Sequence, residues 1–122
     1  MSLPVGPYSP SRRIEDWVVT SGQIGIAPDG QGVMGLVEGG TEPQLRQALR
    51  NLADVLGAEA ATLDDVVKAT VYLVDMGQFA LVNRVWVDVF GDSRPARSAV
   101  GVAALPLGAL VEVEAWAHRP LG

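Results

Sequence analysis

From Val66 to Val74 the chain reads Val-Val-Lys-Ala-Thr-Val-Tyr-Leu-Val, an almost unbroken apolar and β-branched run in which Lys68 is the one charge. A strand that shows water one face alternates polar and apolar residues, so a continuous run predicts a strand buried on both faces inside a sheet. The rest of the chain must then supply its neighbours. Upstream, Trp17-Val18-Val19-Thr20-Ser21 is β-branched and aromatic and predicts a strand ending at Gly22. Downstream, Ser98 to Ala103 is small or β-branched, and Ala109 to Ala117 alternates around Glu112 and Glu114; both read as strands.

Helical spacing occupies two intervals between these strands. Thr41-Glu42-Pro43-Gln44 has the pattern of a helix start, with Thr41 as cap, Gln44 three residues on as in a capping box, and Pro43 tolerated in the first turn. Leu45, Leu49, Leu52 and Leu56 then mark one apolar face, and Gly57 is the expected stop. A second helix is expected after Asp75 as cap, with Gln78 three residues on. Phe79, Val82, Trp86 and Phe90 form its buried face, and Gly91 ends it. Pro28-Asp29-Gly30-Gln31-Gly32 is a turn by its residue chemistry, and Val33 to Val37 a short strand before Gly39-Gly40. Residues 4–10, with three prolines, predict an extended arm or edge segment.

This order of strands, helix, strand, helix and two strands implies one domain over residues 1–122, a two-layer α+β fold with a mixed sheet and both helices on one face. Too few elements remain to cover the second face, so the reading predicts an oligomer that closes it.

Composition narrows the chemistry. There is no cysteine and one histidine, His118, which removes disulfides, thiolate metal sites and cysteine nucleophiles and leaves no basis for a metal cluster. The net charge is −5 and the largest basic cluster is Arg12-Arg13, so the chain lacks the electrostatic footprint of a nucleic-acid binder. No apolar run of membrane-spanning length and no signal-like start is seen, which leads to the expectation of a cytoplasmic protein.

Chemistry must therefore run on carboxylates, hydroxyls, amides and arginines. The candidates are Arg97, in Arg94-Pro95-Ala96-Arg97-Ser98-Ala99-Val100, and Glu112, on the strand that follows the turn at Leu105-Pro106-Leu107-Gly108. Taken alone, Arg97 is an ordinary ion-pair partner and Glu112 could be its mate. Tyr8 is the one large side chain of the arm and serves equally as a packing anchor. Ser21-Gly22 sets a hydroxyl beside a residue that permits close backbone approach, or marks a bulge at a strand corner. Asn83 lies beside the buried face of the second helix, where a local hydrogen bond is its plain role.

Taken together, Gly6-Pro7-Tyr8-Ser9, Ser21-Gly22-Gln23, Val66-Val67-Lys68, Pro95-Ala96-Arg97-Ser98 and Leu105-Pro106 with Glu112 resemble the Rid family, the YjgF-type reactive intermediate deaminases once labelled L-PSP endoribonucleases or translation inhibitors. The resemblance implies a chorismate-mutase-like fold and a homotrimer with sites in the clefts between subunits. It also implies hydrolysis of 2-imino or 2-enamino acids to 2-keto acids and ammonia, with no cofactor and no metal. Arg97 matches the family's carboxylate-binding arginine, where a bidentate charge-assisted contact is worth roughly 1.5–3 kcal/mol. Glu112 matches an acidic residue that orients water. Tyr8, Ser21, Gly22 and Asn83 match residues lining the substrate site. Ala99 stands where archetypal members carry a cysteine, and Pro10 where they carry a glutamine, which puts the subgroup and the substrate range in doubt. A non-catalytic keto-acid-binding module is the alternative, and an endoribonuclease the weaker one.

Overall fold

In the computed structural model, which describes residues 6–122, the central strand is Val66–Leu73, β6 when strands are numbered along the chain. Before it come β1 (Ser11–Ile14), β2 (Trp17–Thr20), β3 (Gln23–Ile24), β4 (Ile26–Pro28), β5 (Met34–Leu36) and helix α1 (Thr41–Gly57). After it come α2 (Phe79–Phe90), β7 (Ala96–Gly101) and β8 (Val111–His118). The main sheet runs β1-β2-β8-β6-β7, with β3 also paired to β8, while β4 and β5 form a separate hairpin. β6 and β7 are parallel and the other pairs antiparallel, so the sheet is mixed. The parallel pair needs a crossover, which α2 provides.

One hydrophobic core joins both helices to one sheet face. Leu45, Leu49, Leu52 and Leu56 of α1 and Val82, Val85, Trp86 and Phe90 of α2 pack with Ala69, Val71 and Leu73 of β6 and Val111, Val113 and Ala115 of β8. Each fully buried leucine contributes about 1.5–3 kcal/mol by leaving water. Polar side chains of α1 act as staples within this layer. Asn51 Nδ2 donates to the carbonyls of Ile24 and Ile26 at 3.0 and 2.9 Å, and Gln44 Oε1 accepts the Leu110 amide at 2.9 Å.

Several expectations need correction. Burial along β6 alternates, with Lys68, Thr70 and Tyr72 only half-buried on the face away from the helices; a run of apolar and amphipathic residues looked continuous because Thr and Tyr suit either environment. That second face is mixed in character. Lys68 Nζ donates to Ser98 Oγ at 2.8 Å and the Tyr72 hydroxyl to Glu114 Oε1 at 3.1 Å, while Trp116, 49% exposed, lies nearer one end. The capping box at Thr41 does not form: Gly40, at φ 93°, is the N-cap, Thr41 is already helical, and Gln44 is spent on Leu110. Asp75 caps a 3-10 turn, Met76–Gln78, by accepting the Gly77 amide, so α2 starts at Phe79. Phe79 is 40% exposed and stands outside the core. β1 directly follows the expected arm of residues 4–10, at residues with no strand signal of their own, because pairing with β2 rather than local propensity makes it a strand. Residues 4 and 5 of the predicted arm lie outside the described residues.

Candidate active site

Arg97 sits on β7, an edge strand of the sheet, opposite Ala69 of β6. Ala69 is core-facing, so the same register turns Arg97 toward the helix layer and under α2. There its Nη2 donates to Asn83 Oδ1 at 2.8 Å, and its guanidinium carbon lies 5.1 Å from the ring centroid of Trp86 and 5.5 Å from that of Phe79. Phe79, Asn83 and Trp86 are spaced i, i+4 and i+7 on α2, which brings them to one helix face. The rings attract the cation through their quadrupoles and restrict its plane; the amide fixes its edge. Partial burial pulls the Arg97 pKa somewhat below its usual value without removing the charge.

Among the described residues, Arg97 has no carboxylate within ion-pair distance. In a chain with 14 acidic and nine basic residues that is a choice of fold, since partners are plentiful. The guanidinium instead lines a cavity of about 240 Å³ with Asn83, Trp86, Val87, Arg94 and Pro95.

Glu112 lies on the other side of the sheet. It pairs with Tyr72 and with Ile24, two strands removed from β7, on the face away from the helices. Its neighbour in space is Gly22. Val19 pairs with Trp116 and Gln23 with Val113, so three residues of one strand span two of the other and Ser21-Gly22 forms a bulge. The Ala115 amide opposite the bulge is satisfied by Thr20 Oγ1 at 3.0 Å. A Cβ on Gly22 would stand 2.6 Å from Glu112 Cδ and collide with its carboxylate, so glycine is required for the approach.

Burial first, and repulsion from Glu114 second, hold the Glu112 carboxyl above its ordinary pKa. Glu114 differs in having the Tyr72 hydroxyl as a donor. Glu112 has no hydrogen-bond donor among the described residues, and its proton affinity is raised toward the range of a working base.

Ser21 is occupied with structure. Its hydroxyl donates to the Ser9 carbonyl at 2.6 Å and its amide to the Pro10 carbonyl at 2.9 Å, tying the arm to the bulge. That tether places the exposed Tyr8 two residues from Pro10, on the bulge side of the sheet edge. Within one chain, then, Gly22 and Glu112 come together, Ser21 anchors the arm that carries Tyr8, and Asn83 joins Arg97. The two clusters do not meet, and Arg97 and Glu112 are not the ion pair that their charges alone would suggest. Sequence reasoning missed the role of Phe79 and Trp86, reading both as core; their spacing about Asn83 was the available signal.

The family model described as Endoribonuclease L-PSP matches residues 2–119. The chain belongs to this family. An L-PSP family relative in mouse, named 2-iminobutanoate/2-iminopropanoate deaminase, is 44% identical over 114 residues, 93% of this chain and 82% of that one. A RutC family protein of Pyrococcus horikoshii is 43% identical over 117 residues, covering 95% of this chain and 90% of the relative. The crystal structure of RidA from the Antarctic bacterium Psychrobacter sp. PAMC 21119 superposes with a TM-score of 0.88 at 39% identity, covering 95% and 91% of the two chains. The resemblance read from the motifs and the two-layer mixed α+β fold are thus both sustained. No helix among the described residues is long and apolar enough to cross a membrane.

Proposed function

We propose that this L-PSP family protein hydrolyses reactive 2-imino and 2-enamino acids to 2-keto acids and ammonia, in clefts between the subunits of a homotrimer. The observation that carries this reading is Arg97: a partly buried guanidinium, aimed by Asn83 and two rings into a small cavity, with no carboxylate among the described residues within ion-pair distance. Such a group is an anion receptor, and a substrate carboxylate supplies the missing charge. The deaminase named among the 44%-identical relatives acts on substrates of this kind.

Because Arg97 and Glu112 face opposite sides of the sheet, a site using both takes them from different copies. The edge strand β7 brings Arg97 to the rim of one subunit, while the half-buried second face presents Glu112 beside Gly22. Closing that face against other copies brings the clusters into one cleft. The substrate is held by its carboxylate on Arg97. Glu112 takes a proton from a water as its oxygen adds to the imine carbon; the carbinolamine then collapses, the C–N bond breaks, and the proton leaves with ammonia. The imine carbon is electrophilic already, so orientation and proton transfer are the work required.

An RNA-cleaving reading finds no support at this site. The lone His118 packs edge-on against Trp17 at 5.0 Å between ring centroids, six residues along β8 from Glu112, or about 20 Å at strand spacing. The test of the deaminase is to generate iminopropionate or iminobutyrate in situ and follow ammonia release. Arg97→Ala is expected to lose about 10²-fold or more in kcat/KM. Full activity in that variant would refute the assignment, and binding of keto acids without turnover by the wild type would favour a sensing module.

A further inference from the structure

A second arginine shares the cavity of Arg97. Arg94 lines the same space of about 240 Å³, and no acidic residue does. Arg94 directs Nε to the Gly91 carbonyl at 2.9 Å, which orients the fork and leaves its terminal N–H groups without a partner among the described residues. Among the described residues, neither arginine has a carboxylate within ion-pair distance. Asp88 on α2, near in sequence to the lining, is held by Arg46 at 2.8 Å and does not serve. Pro95 follows Arg94 directly and biases it toward extended backbone, so the two guanidinium stems leave the chain three residues apart on a stiff segment.

Two cations lining one small cavity repel each other, and amide and apolar walls offer them no relief. A ligand with one carboxylate satisfies Arg97 alone. A ligand with two satisfies both and removes the repulsion. A cavity of about 240 Å³ on one subunit has room for a small diacid between the two guanidinium groups.

We infer that Arg94 selects for a second carboxylate and that the preferred substrates are 2-imino dicarboxylates of four or five carbons. The inference rests on the reading of Arg97 as the receptor for the 2-carboxylate. The reaction is unchanged in its balance: water adds across C=N, the C–N bond breaks, and the products are a 2-keto diacid and ammonia. The reaction that supplies such a substrate removes hydride from, or otherwise forms an imine on, an acidic amino acid.

Binding and turnover are measured on the assembled wild-type protein and on Arg94→Met, which removes the charge and keeps an unbranched stem at an exposed position. Calorimetric titration with 2-oxoglutarate and with 2-oxobutyrate gives the diacid-to-monoacid ratio of affinities. Iminosuccinate and iminobutyrate, made in situ by amino-acid oxidases, give the same ratio for kcat/KM. The expected result is at least a tenfold preference for the diacid in wild type, reduced about tenfold or more by Arg94→Met. A wild-type ratio near one, or a ratio that Arg94→Met leaves in place, overturns the inference. If the diacid binds with that Arg94-dependent preference while no imine is hydrolysed, the two-arginine site stands and the deaminase reading falls.

Discussion

Replacing Asn83 by aspartate keeps the side chain's shape and changes one thing at Arg97: the oxygen 2.8 Å from its Nη2 becomes part of a carboxylate. If Arg97 is an empty anion receptor, the variant fills it from within. At that separation the attraction between unit charges is about 1.5 kcal/mol in a water-like medium and about 6 kcal/mol at an effective dielectric near 20. Arg97 is half-buried and lines an open cavity, which places the pair between those limits, about 2–3 kcal/mol after screening. A substrate carboxylate must compete with that, so affinity for 2-oxobutyrate should fall about 30- to 150-fold. Calorimetric titration of both proteins measures it, with iminobutyrate hydrolysis followed in parallel. The melting temperature should not fall, because the new pair replaces a neutral contact with a charged one. An Asn83→Asp protein that binds 2-oxobutyrate as tightly as wild type would refute the anion-receptor reasoning, and a collapse in stability would show that Asn83 serves the fold instead.

Three further outcomes follow from the same geometry. Arg97→Ala and Glu112→Gln, each inactive as a pure assembly, should regain about a quarter of wild-type activity when unfolded together in equal amounts and refolded. Three-quarters of random trimers are mixed, and each mixed trimer has one of three clefts intact; a site built within one chain would recover nothing. Gly22→Ala should leave the melting temperature nearly unchanged but cut kcat about tenfold or more, since the new Cβ can be accommodated only by swinging the Glu112 carboxylate aside; an unaltered kcat would mean that Glu112 needs no fixed position. Glu112→Gln should also remove a loss of stability that wild type suffers as pH rises. Because burial raises the folded-state pKa of Glu112, the native chain holds a proton that the unfolded chain has released, so its contribution to stability is lost as pH rises between the ordinary and the raised value. Thermal melts from about pH 3 to about pH 8 should show the variant gaining on wild type across that window, and a gain on acidification would reverse the sign of the argument.

The helices and central strands were legible from local pattern, because the leucine spacing of α1 and the β-branched density of β6 are properties of consecutive residues. Arg97 and Glu112 stood out as candidates too, through the motifs around them. Which face each one takes was not. β7, Ala-Arg-Ser-Ala-Val-Gly, is mostly small residues that show no polar and apolar alternation to read, and its register against Ala69 is set by β6, α2 and the sheet together. The role of Trp86 was hidden for a related reason: an aromatic at helical spacing looks the same whether its edge faces leucine or its face meets a guanidinium.

What the residues determined by themselves was the inventory: two layers, no cysteine thiol, and one arginine and one glutamate in family-like settings. Only the tertiary structure decided that the arginine stands on the helix side at the sheet's rim while the glutamate stands on the opposite face beside a bulged glycine. The physical reason is that a strand's side chains alternate with a period of two, so a shift of one residue in pairing exchanges the faces. Pairing is a property of the assembled sheet, and from it follows that Arg97 and Glu112 face opposite sides of the sheet within one chain.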